Sequence, residues 1–422
     1  MRILYVCCCA FAAGAAAPSQ PVDELVRTAI ERNRELQAVR QRILEARGEL
    51  RQAGVRPAPA VEADAATGRP LGTAGEEEFS IAYSLAFETA GKRGKRIRAG
   101  EKSVALAEAE LADHTRRLAA RVKIAHAEAV SAQRRVAVFG RLIDLHRASL
   151  RLVEARVEQG DAAPLESKLL AVELSRAEAQ RAAAAGRHQA ALAELRSLCG
   201  LTVDEPLVPA EAFALGAERD FSVEALWKLA LAERPDLRAA RLREELATAG
   251  AELIAAEGKP DVAVTARYAH RTSSFDQYGY TRGGALEPLR DRDNVLSFGV
   301  SVPILTSRRN QGNLEAAAAR VAGAKSMRAH LTAAIPLEVL SAWQRWNASR
   351  QSLAVLKSGV IGQSEDNLSV IRQAYALGEL RLLDVLNEQR RLLDTQLAFI
   401  DAEAETAGNW IALEQAVGGE IR

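Results

Sequence analysis

The distribution of apolar positions around Gly378 indicates two helices joined by a tight turn. Helical periodicity reaches this glycine, stops, and resumes with apolar residues spaced three and four apart, which is typical of a coiled-coil seam. A weaker copy lies in the first half of the chain, where Gly160 aligns with Gly378 and Glu166 aligns with Asp384. The chain is therefore predicted to be a tandem duplication. The seam residues are Leu383, Leu386, Leu393, Leu397 and Ile400 in the second copy, and Leu165, Leu169 and Val172 in the first.

Each copy is predicted to hold helices on both sides of a pair of strands, with a bend at Pro336 in the second copy. The helices are expected at residues 22–53, 94–158 and 163–197 in the first copy, and from Val223, at 310–377 and at 379–417 in the second. The strands are expected at 60–66, 79–87, 261–270 and 296–304, joined by loops at 67–77 and 271–293.

The predicted strands alternate between large apolar residues and small or polar ones. A small sheet with one face on a soluble core has this pattern, and so do the strands of an outer-membrane barrel, which are about ten residues long. Four strands cannot close a barrel, and an open edge in lipid leaves backbone groups unpaired. The membrane interpretation therefore requires an oligomer. The candidate lipid-facing residues are Phe79, Ile81, Tyr83, Leu85, Phe87, Phe298 and Val300.

The N-terminus has the features of a secretory signal peptide, which we expect to cover residues 1–17. Arg2 precedes an apolar run, and Ala13-Gly-Ala15 fits a cleavage site. A lipoprotein signal that uses the cysteines at 7–9 is the alternative, although the residues before Cys7 lack the small side chains that such processing prefers. Cys199 is then the only mature cysteine, which excludes an intrachain disulfide. We expect a first repeat at 18–200, a linker at 201–221 and a second repeat at 222–422.

Charge and residue spacing exclude several functional classes. Lys and Arg number 56 against 55 Asp and Glu, so nothing indicates a nucleic-acid partner. None of the six histidines falls at metal-ligand spacing, and no catalytic constellation stands out. We therefore expect no enzyme activity, no cofactor and no metal site. The mature sequence has no apolar run of about 18 residues, so we expect no transmembrane helix.

Three features together carry a family resemblance. They are the tandem unit itself, the turn Tyr375-Ala-Leu-Gly378 followed by Leu383-Asp384-Val385-Leu386, and the basic turn Gly91-Lys-Arg-Gly-Lys-Arg96. With them the chain resembles the TolC-like outer-membrane efflux family over nearly its whole mature length. The basic turn is similar to that of the CzcC-like branch, which handles cobalt, zinc, cadmium or copper. The second copy has Ser307-Arg-Arg-Asn310 instead, and the positive charge of the first also suits a plain anchor at the membrane interface.

The resemblance implies a mostly α fold with a membrane β-barrel. Three chains of four strands each would complete a twelve-stranded barrel and an α-helical tunnel through the periplasm. Such a homotrimer is a passive exit duct in the cell outer membrane. It is supplied by a periplasmic adaptor and an inner-membrane pump of the resistance-nodulation-division type. The alternative function is a periplasmic coiled-coil scaffold or adaptor without a pore, and the lipid-compatible strands in each half favour the channel.

The resemblance also assigns roles to residues near the turn at Gly378. Asp384 and Asn387 share one helical face and would point into the tunnel, where three Asp384 carboxylates would form a cation-selective ring. The alternative is a solvated helix position. Glu166 is the counterpart of Asp384 in the first copy, and it is a candidate partner for Tyr375 in holding the tunnel closed.

The two turns are expected at the periplasmic tip of the molecule. Small residues at helix ends permit the close approach of another helical hairpin, and the resemblance implies that the adaptor docks there. A plainer interpretation is that the glycines only end helices, and both can hold. The tip residues are Gly160, Asp161, Leu377, Gly378 and Glu379.

Overall fold

The computed structural model describes residues 19–72, 75–213, 215–216, 221–304 and 310–421. The predicted signal peptide and residues 307–309 lie outside this part of the chain. The described chain divides into two compact units, which we call the helical unit and the sheet unit. The helical unit takes its residues from 1–40, 110–236 and 331–422, and the sheet unit takes its residues from 41–109 and 237–330.

Most of the described chain is helical, as predicted. Among the described helices none is both long enough and apolar enough to cross a membrane. In the first copy the helices are α1 (Val22–Arg32), α2 (Arg34–Ala53), α3 (Lys92–Glu158) and α4 (Pro164–Cys199). In the second copy they are α5 (Val223–Glu233), α6 (Pro235–Glu257), α7 (Gln311–Val355), α8 (Ile361–Ala376) and α9 (Leu382–Val417).

The predicted single helix at 22–53 is wrong, because it divides at Asn33, where ψ is 120°. The side chain of Asn33 explains the division: its Oδ1 accepts a hydrogen bond from the Leu36 N–H at 3.0 Å, as a helix N-cap does. The second copy divides at the equivalent Arg234, where ψ is 121°. There the cause is Pro235, which disfavours helical backbone in the residue before it.

The predicted helix at 310–377 is also interrupted. The helix α7 runs through Pro336 without a break, and the bend expected there stays a prediction. The interruption lies at Leu356–Val360, a π-helical segment in which Gly359 has φ 149°. Glycine adopts this φ because it has no Cβ. The sequence stretch therefore forms two helices, α7 and α8.

The strands form one antiparallel sheet in the order β1-β2-β3-β4. Pairing between β2 and β3 joins the first copy to the second. A short 3-10 helix at Arg69–Leu71 lies in the first connection. The strands are β1 (Ala60–Thr67), β2 (Glu76–Phe87), β3 (Val262–Tyr280) and β4 (Leu286–Ser301).

The second hairpin is longer than predicted. The expected loop at 271–293 is mostly strand, and only a turn near Thr281 connects β3 to β4; the Thr281 N–H donates to the Ala285 carbonyl at 2.8 Å. The extension lacks a regular apolar alternation, so the pattern that predicted the other strands could not reveal it. At its far end β4 stops at Ser301, three residues before the predicted end at Ile304.

The helical unit has its own apolar core and an aromatic cluster. Trp346 and Trp410 lie with ring centroids 5.1 Å apart. The indole N–H of Trp346 donates to the Leu215 carbonyl at 3.3 Å, which fixes part of the chain between the two copies. The core residues include Leu25, Ala29, Leu36, Leu118, Val122, Leu195 and Cys199.

Gly200 ends α4 in a conformation that only glycine adopts readily, with φ 67°. A Cβ at this position would lie 2.6 Å from the Arg32 carbonyl oxygen. We expect Gly200→Ala to lower the free energy of unfolding by at least about 2 kcal/mol, because strain at this φ and the clash add together. Denaturant unfolding followed by circular dichroism measures the change.

Gly186 provides the matched control, because it lies in the same helix and a Cβ added there would have no atom within 4 Å. We expect Gly186→Ala to raise the free energy of unfolding by about 0.5–1 kcal/mol, since alanine restricts the unfolded chain more than glycine does. Equal stabilities for the two variants would show that the αL turn at Gly200 carries no constraint.

Candidate functional site

The two glycine turns of the helical unit have the same backbone hydrogen bonding. Gly160 has φ 82° and Gly378 has φ 79°. In each turn the glycine N–H donates to the carbonyl three residues back at 3.0 Å, and the next N–H donates to the carbonyl five residues back. These bonds form a Schellman motif, which ends a helix with a left-handed residue. Both glycines therefore end helices, whatever else they do at a tip.

Tyr375 and Glu166 are brought together across the two turns. The hydroxyl of Tyr375 donates to Glu166 Oε2 at 2.9 Å, so the predicted pairing is confirmed. The Arg156 guanidinium lies 5.4 Å from the centroid of the tyrosine ring. Burial and the Glu166 carboxylate raise the pKa of Tyr375 to about 12, so the phenol stays a hydrogen-bond donor.

A small apolar cluster surrounds this hydrogen bond. Val153 of α3, Leu170 of α4 and Leu382 of α9 are buried together, and Tyr375 and Leu386 pack against them. The helical hairpins of the two copies therefore meet near the turns through one side-chain hydrogen bond and a few apolar contacts. Such an arrangement is small enough to separate and reform.

Asp384 and Asn387 are three positions apart on α9, so they lie on one face of the helix. The structure adds a role for Asp384 that the sequence analysis missed. Its carboxylate accepts the backbone N–H of Arg381 at 3.1 Å, which caps the first turn of α9. A negative charge there is also favoured by the helix dipole. The acidic residue in the first turn was the available signal for this cap.

The register of the sheet places the predicted lipid-facing residues on one face. Tyr83 pairs with Val61 and Ala266, and Ala266 pairs with Phe298. Since side chains alternate along each strand, Phe79, Ile81, Leu85, Phe87 and Val300 share this face. All of these except the half-buried Leu85 are exposed, from 44% for Ile81 to 75% for Phe298. We call it the apolar face.

The opposite face of the sheet carries charged and small residues, and we call it the polar face. Arg267 Nη1 lies 3.2 Å from Asp64 Oδ2 and 3.0 Å from Ser80 Oγ. Further along, Arg271 Nε donates to Glu78 Oε2 at 2.9 Å. An apolar face opposed to a hydrated one is the distribution that a membrane strand requires.

The basic turn at 91–96 uses its charges within the chain. The ammonium group of Lys92 is 2.8 Å from Asp261 Oδ1 and donates to the Lys259 carbonyl at 2.7 Å. Arg96 pairs with Glu88, which holds the pKa of that carboxyl below its usual range. Arg93 Nε donates to the Gly54 carbonyl at 2.7 Å. The side chains of the basic turn therefore bond to helix and strand ends of both copies. Neither sequence interpretation of the turn, a feature of the CzcC-like branch or an anchor at the membrane interface, predicted these bonds.

The histidines do not converge on a metal site in the described part of the chain. No group of three or more His, Cys, Asp or Glu side chains among the described residues could hold a metal ion. His126 and His146 are buried, and burial lowers the pKa of both rings. Burial therefore favours the neutral form of both rings.

With this geometry in view, comparison with known proteins identifies the class. The model of the outer membrane efflux protein family matches residues 25–201 and 226–419, one match in each copy. The chain belongs to the outer membrane efflux protein family.

Three similar proteins narrow the comparison. The cobalt-zinc-cadmium resistance protein CzcC of Cupriavidus metallidurans is 25% identical over 337 residues, which is 79% of this chain and 76% of CzcC. The nickel-cobalt-cadmium resistance protein NccC of Alcaligenes xylosoxydans is 27% identical over 257 residues, 60% of this chain and 53% of NccC. The crystal structure of CusC superposes with a TM-score of 0.75 at 18% identity, covering 94% of this chain and 92% of CusC.

The family and the fold confirm the predicted class. The protein is an outer-membrane efflux channel of the TolC-like kind that extends into the periplasm, and it is not an enzyme. Its family works with adaptor and inner-membrane pump partners. The scaffold without a pore, which was the alternative, is not supported.

The hydrogen bond between Tyr375 and Glu166 generates a direct test. In a double-mutant cycle of Tyr375→Phe and Glu166→Gln, we expect a coupling energy of about 1.5–3 kcal/mol, the range for a hydrogen bond to a charged group. Hydrogen exchange of the amides in α8 and in the first turn of α9 measures it locally. A coupling near zero would mean that the two side chains do not stabilise each other.

Proposed function

We propose that three copies of this chain assemble around a common axis to form a twelve-stranded barrel and a continuous helical tunnel. The observation that carries this proposal is the four-stranded sheet with an apolar face, a polar face and two open edges. An open strand edge in lipid leaves backbone groups unpaired at several kcal/mol each. Pairing β4 of one chain with β1 of the next removes both edges at once.

In this assembly the apolar face lies against lipid and the polar face lines the pore. From Phe79 to Phe87 the strand spans about 27 Å at about 3.4 Å per residue. A tilt of about 40° reduces this to about 21 Å along the membrane normal, close to the apolar band of about 25 Å in outer-membrane barrels. The length and the alternation of β2 therefore both suit a bilayer.

We further propose that the channel is a passive duct for heavy-metal cations. The names of CzcC and NccC record resistance to cobalt, cadmium, zinc or nickel, and the cation-selective ring expected of three Asp384 carboxylates suits such cargo. An inner-membrane pump of the resistance-nodulation-division type would supply the cations through a periplasmic adaptor. The duct itself needs no metal site, because its cargo only passes through.

The adaptor is proposed to dock at the two Schellman turns. Leu377 is 77% exposed beside Gly378, and Asp161 and Glu379 are exposed at the same ends of the hairpins. A partner that covers this leucine removes apolar surface from water, which favours docking. Gly160 and Gly378 leave room for a second hairpin because they carry no side chain.

Lipid contact at the apolar face is tested by charge insertion. We expect Ile81→Arg and Phe298→Arg each to cost about 2–4 kcal/mol near the middle of the bilayer and to impair assembly. Gly299→Arg is the matched control, since it neighbours Phe298 but points to the polar face, where nothing lies within 4 Å of a Cβ. Crosslinking in outer-membrane fractions reports the trimer. Normal assembly of both apolar-face variants would contradict the lipid assignment.

The proposed ring of Asp384 carboxylates is tested by removing the charge of Asp384 while keeping its helix cap. Asp384→Asn retains an oxygen that accepts the Arg381 N–H, whereas Asp384→Ala loses both the charge and the cap. We expect reconstituted channels to be cation-selective and to be blocked by di- or trivalent cations from the periplasmic side. Both properties should weaken in both variants, with the trimer intact. Single-channel recording measures both the selectivity and the block. An unaltered reversal potential in Asp384→Asn would show that Asp384 is a solvated surface residue and does not line the pore.

A further inference from the structure

In the half of β4 nearer to the turn that connects it to β3, a run of four residues alternates charge with the same period as the strand. Its sequence Arg290-Asp291-Arg292-Asp293 places two arginines on one face of the sheet and two aspartates on the other. Thr272 pairs with Arg292 and Ser274 pairs with Arg290. The question is which face each pair occupies.

Side-chain contacts in β3 and β4 settle the faces. Tyr268 lies on the apolar face, and its hydroxyl donates to Asn294 Oδ1 at 2.8 Å. His270 Nδ1 is 2.8 Å from the same oxygen, and Thr272 Oγ1 is 3.4 Å from His270 Nε2. A row of polar side chains thus continues the apolar face up to Thr272. Arg292, the partner of Thr272, and Arg290 therefore continue that face.

These two arginines differ from the arginines on the polar face of the same hairpin. Arg267 and Arg271, on the polar face, are paired with Asp64 and Glu78. Among the described residues the guanidinium groups of Arg290 and Arg292 have no ion pair and no side-chain hydrogen bond, and both residues are exposed. Their neighbouring carboxylates at 291 and 293 point to the other side of the sheet.

One carboxylate of β2 shares the face with the arginines. Glu77 pairs with Thr272, which in turn pairs with Arg292, so Glu77 lies two strands away from Arg292. Strands are about 4.8 Å apart, which separates the two backbones by about 10 Å. Arg290 and Arg292 therefore form the centre of a basic patch, and Glu77 lies at its edge.

The register of the strands gives the position of the basic patch along the membrane normal. Phe79 pairs with His270, and beyond this row the face carries polar side chains as far as Arg290, before the exposed Tyr278, Tyr280 and Leu286 near the turn. The row of Arg292 lies two residues further, about 7 Å along the strand and about 5 Å along the normal at a tilt of about 40°. That distance brings the guanidinium groups to the headgroups of the leaflet on the side of the β3–β4 turn, opposite the strand ends that lead into the helices.

We propose that Arg290 and Arg292 bind phosphate groups of lipids in this outer leaflet. The site is two adjacent guanidinium groups above an apolar wall, which fits a ligand with a phosphorylated headgroup and acyl chains. Guanidinium binds phosphate through paired hydrogen bonds. The polar row at Tyr268, His270 and Asn294 accommodates the sugar or glycerol part of the headgroup. This inference rests on the proposed lipid contact of the apolar face.

The test measures lipid retention by the assembled full chain. Purified protein is mixed with phosphatidylcholine micelles that contain diphosphoryl lipid A or the same lipid with its phosphates removed. Native mass spectrometry counts the lipid A molecules retained by each trimer. The variant is Arg290→Gln/Arg292→Gln. The matched control is Asp291→Asn/Asp293→Asn, which changes two charges on the same stretch of strand but on the opposite face.

We expect retention to fall about fivefold for each arginine removed, and about twenty-five-fold for both, from the usual contribution of one basic residue at an anionic surface. The control should retain lipid A as the unaltered protein does, and Arg290→Lys/Arg292→Lys should recover part of the loss. If the double variant does not assemble, the single variants Arg290→Gln and Arg292→Gln carry the same fivefold expectation.

Three results would overturn the inference. They are equal retention by the double variant, equal retention of the lipid without phosphates, and complete displacement of lipid A by inorganic phosphate, which would make the free anion the ligand. Failure of the unaltered protein to appear in floated outer membranes is a different result, because it removes the proposed barrel and the lipid site with it. An assembled trimer with unchanged lipid retention removes the lipid site alone.

Discussion

Backbone hydrogen bonding at the two open edges of the sheet is the constraint on which the rest of the structure depends. Among the described residues β1 pairs only with β2 and β4 pairs only with β3. In lipid neither edge can remain open, whereas in water an edge can bond to solvent. Since β1 is 8 residues long and β4 is 16, an adjacent β1 can cover about half of β4. The backbone groups at the edge of the apolar half of β4 need pairing, because this half would lie in lipid. Those of the charged half can bond to water.

The elements that the sequence predicted are those with a single strong periodicity. The strand β2 was found because large apolar residues alternate over its length, and the register confirms one apolar face. The long helix α3 was found because residues 94–158 contain no proline and are rich in strong helix formers. The pairing of Tyr375 with Glu166 came from the family resemblance, since no local pattern links residues so distant in sequence.

The features that the sequence could not predict arise where several local effects compete. The far half of β3 has no regular apolar alternation, and in β4 the strand period at residues 290–293 lies in the sign of the charge and not in hydropathy. The break at Asn33 depends on one side-chain cap, and the π-helical segment depends on Gly359, which resembles the helical glycines until its φ is known. The basic turn looked like a free positive surface, and only the structure shows its carboxylate partners.

Few interactions hold the helical hairpins together at the tip. In the proposed trimer three Asp384 carboxylates face one another, and two charges at about 4 Å repel by about 4 kcal/mol at an effective dielectric constant of about 20. Against this each chain offers the hydrogen bond from Tyr375 to Glu166 and the cluster of Val153, Leu170 and Leu382. A hydrogen bond to a carboxylate contributes about 1.5–3 kcal/mol, and its loss in three chains is within the binding energy of one protein partner. An adaptor that binds the separated hairpins more tightly than the closed ones can therefore open the duct without any energy source in the channel itself.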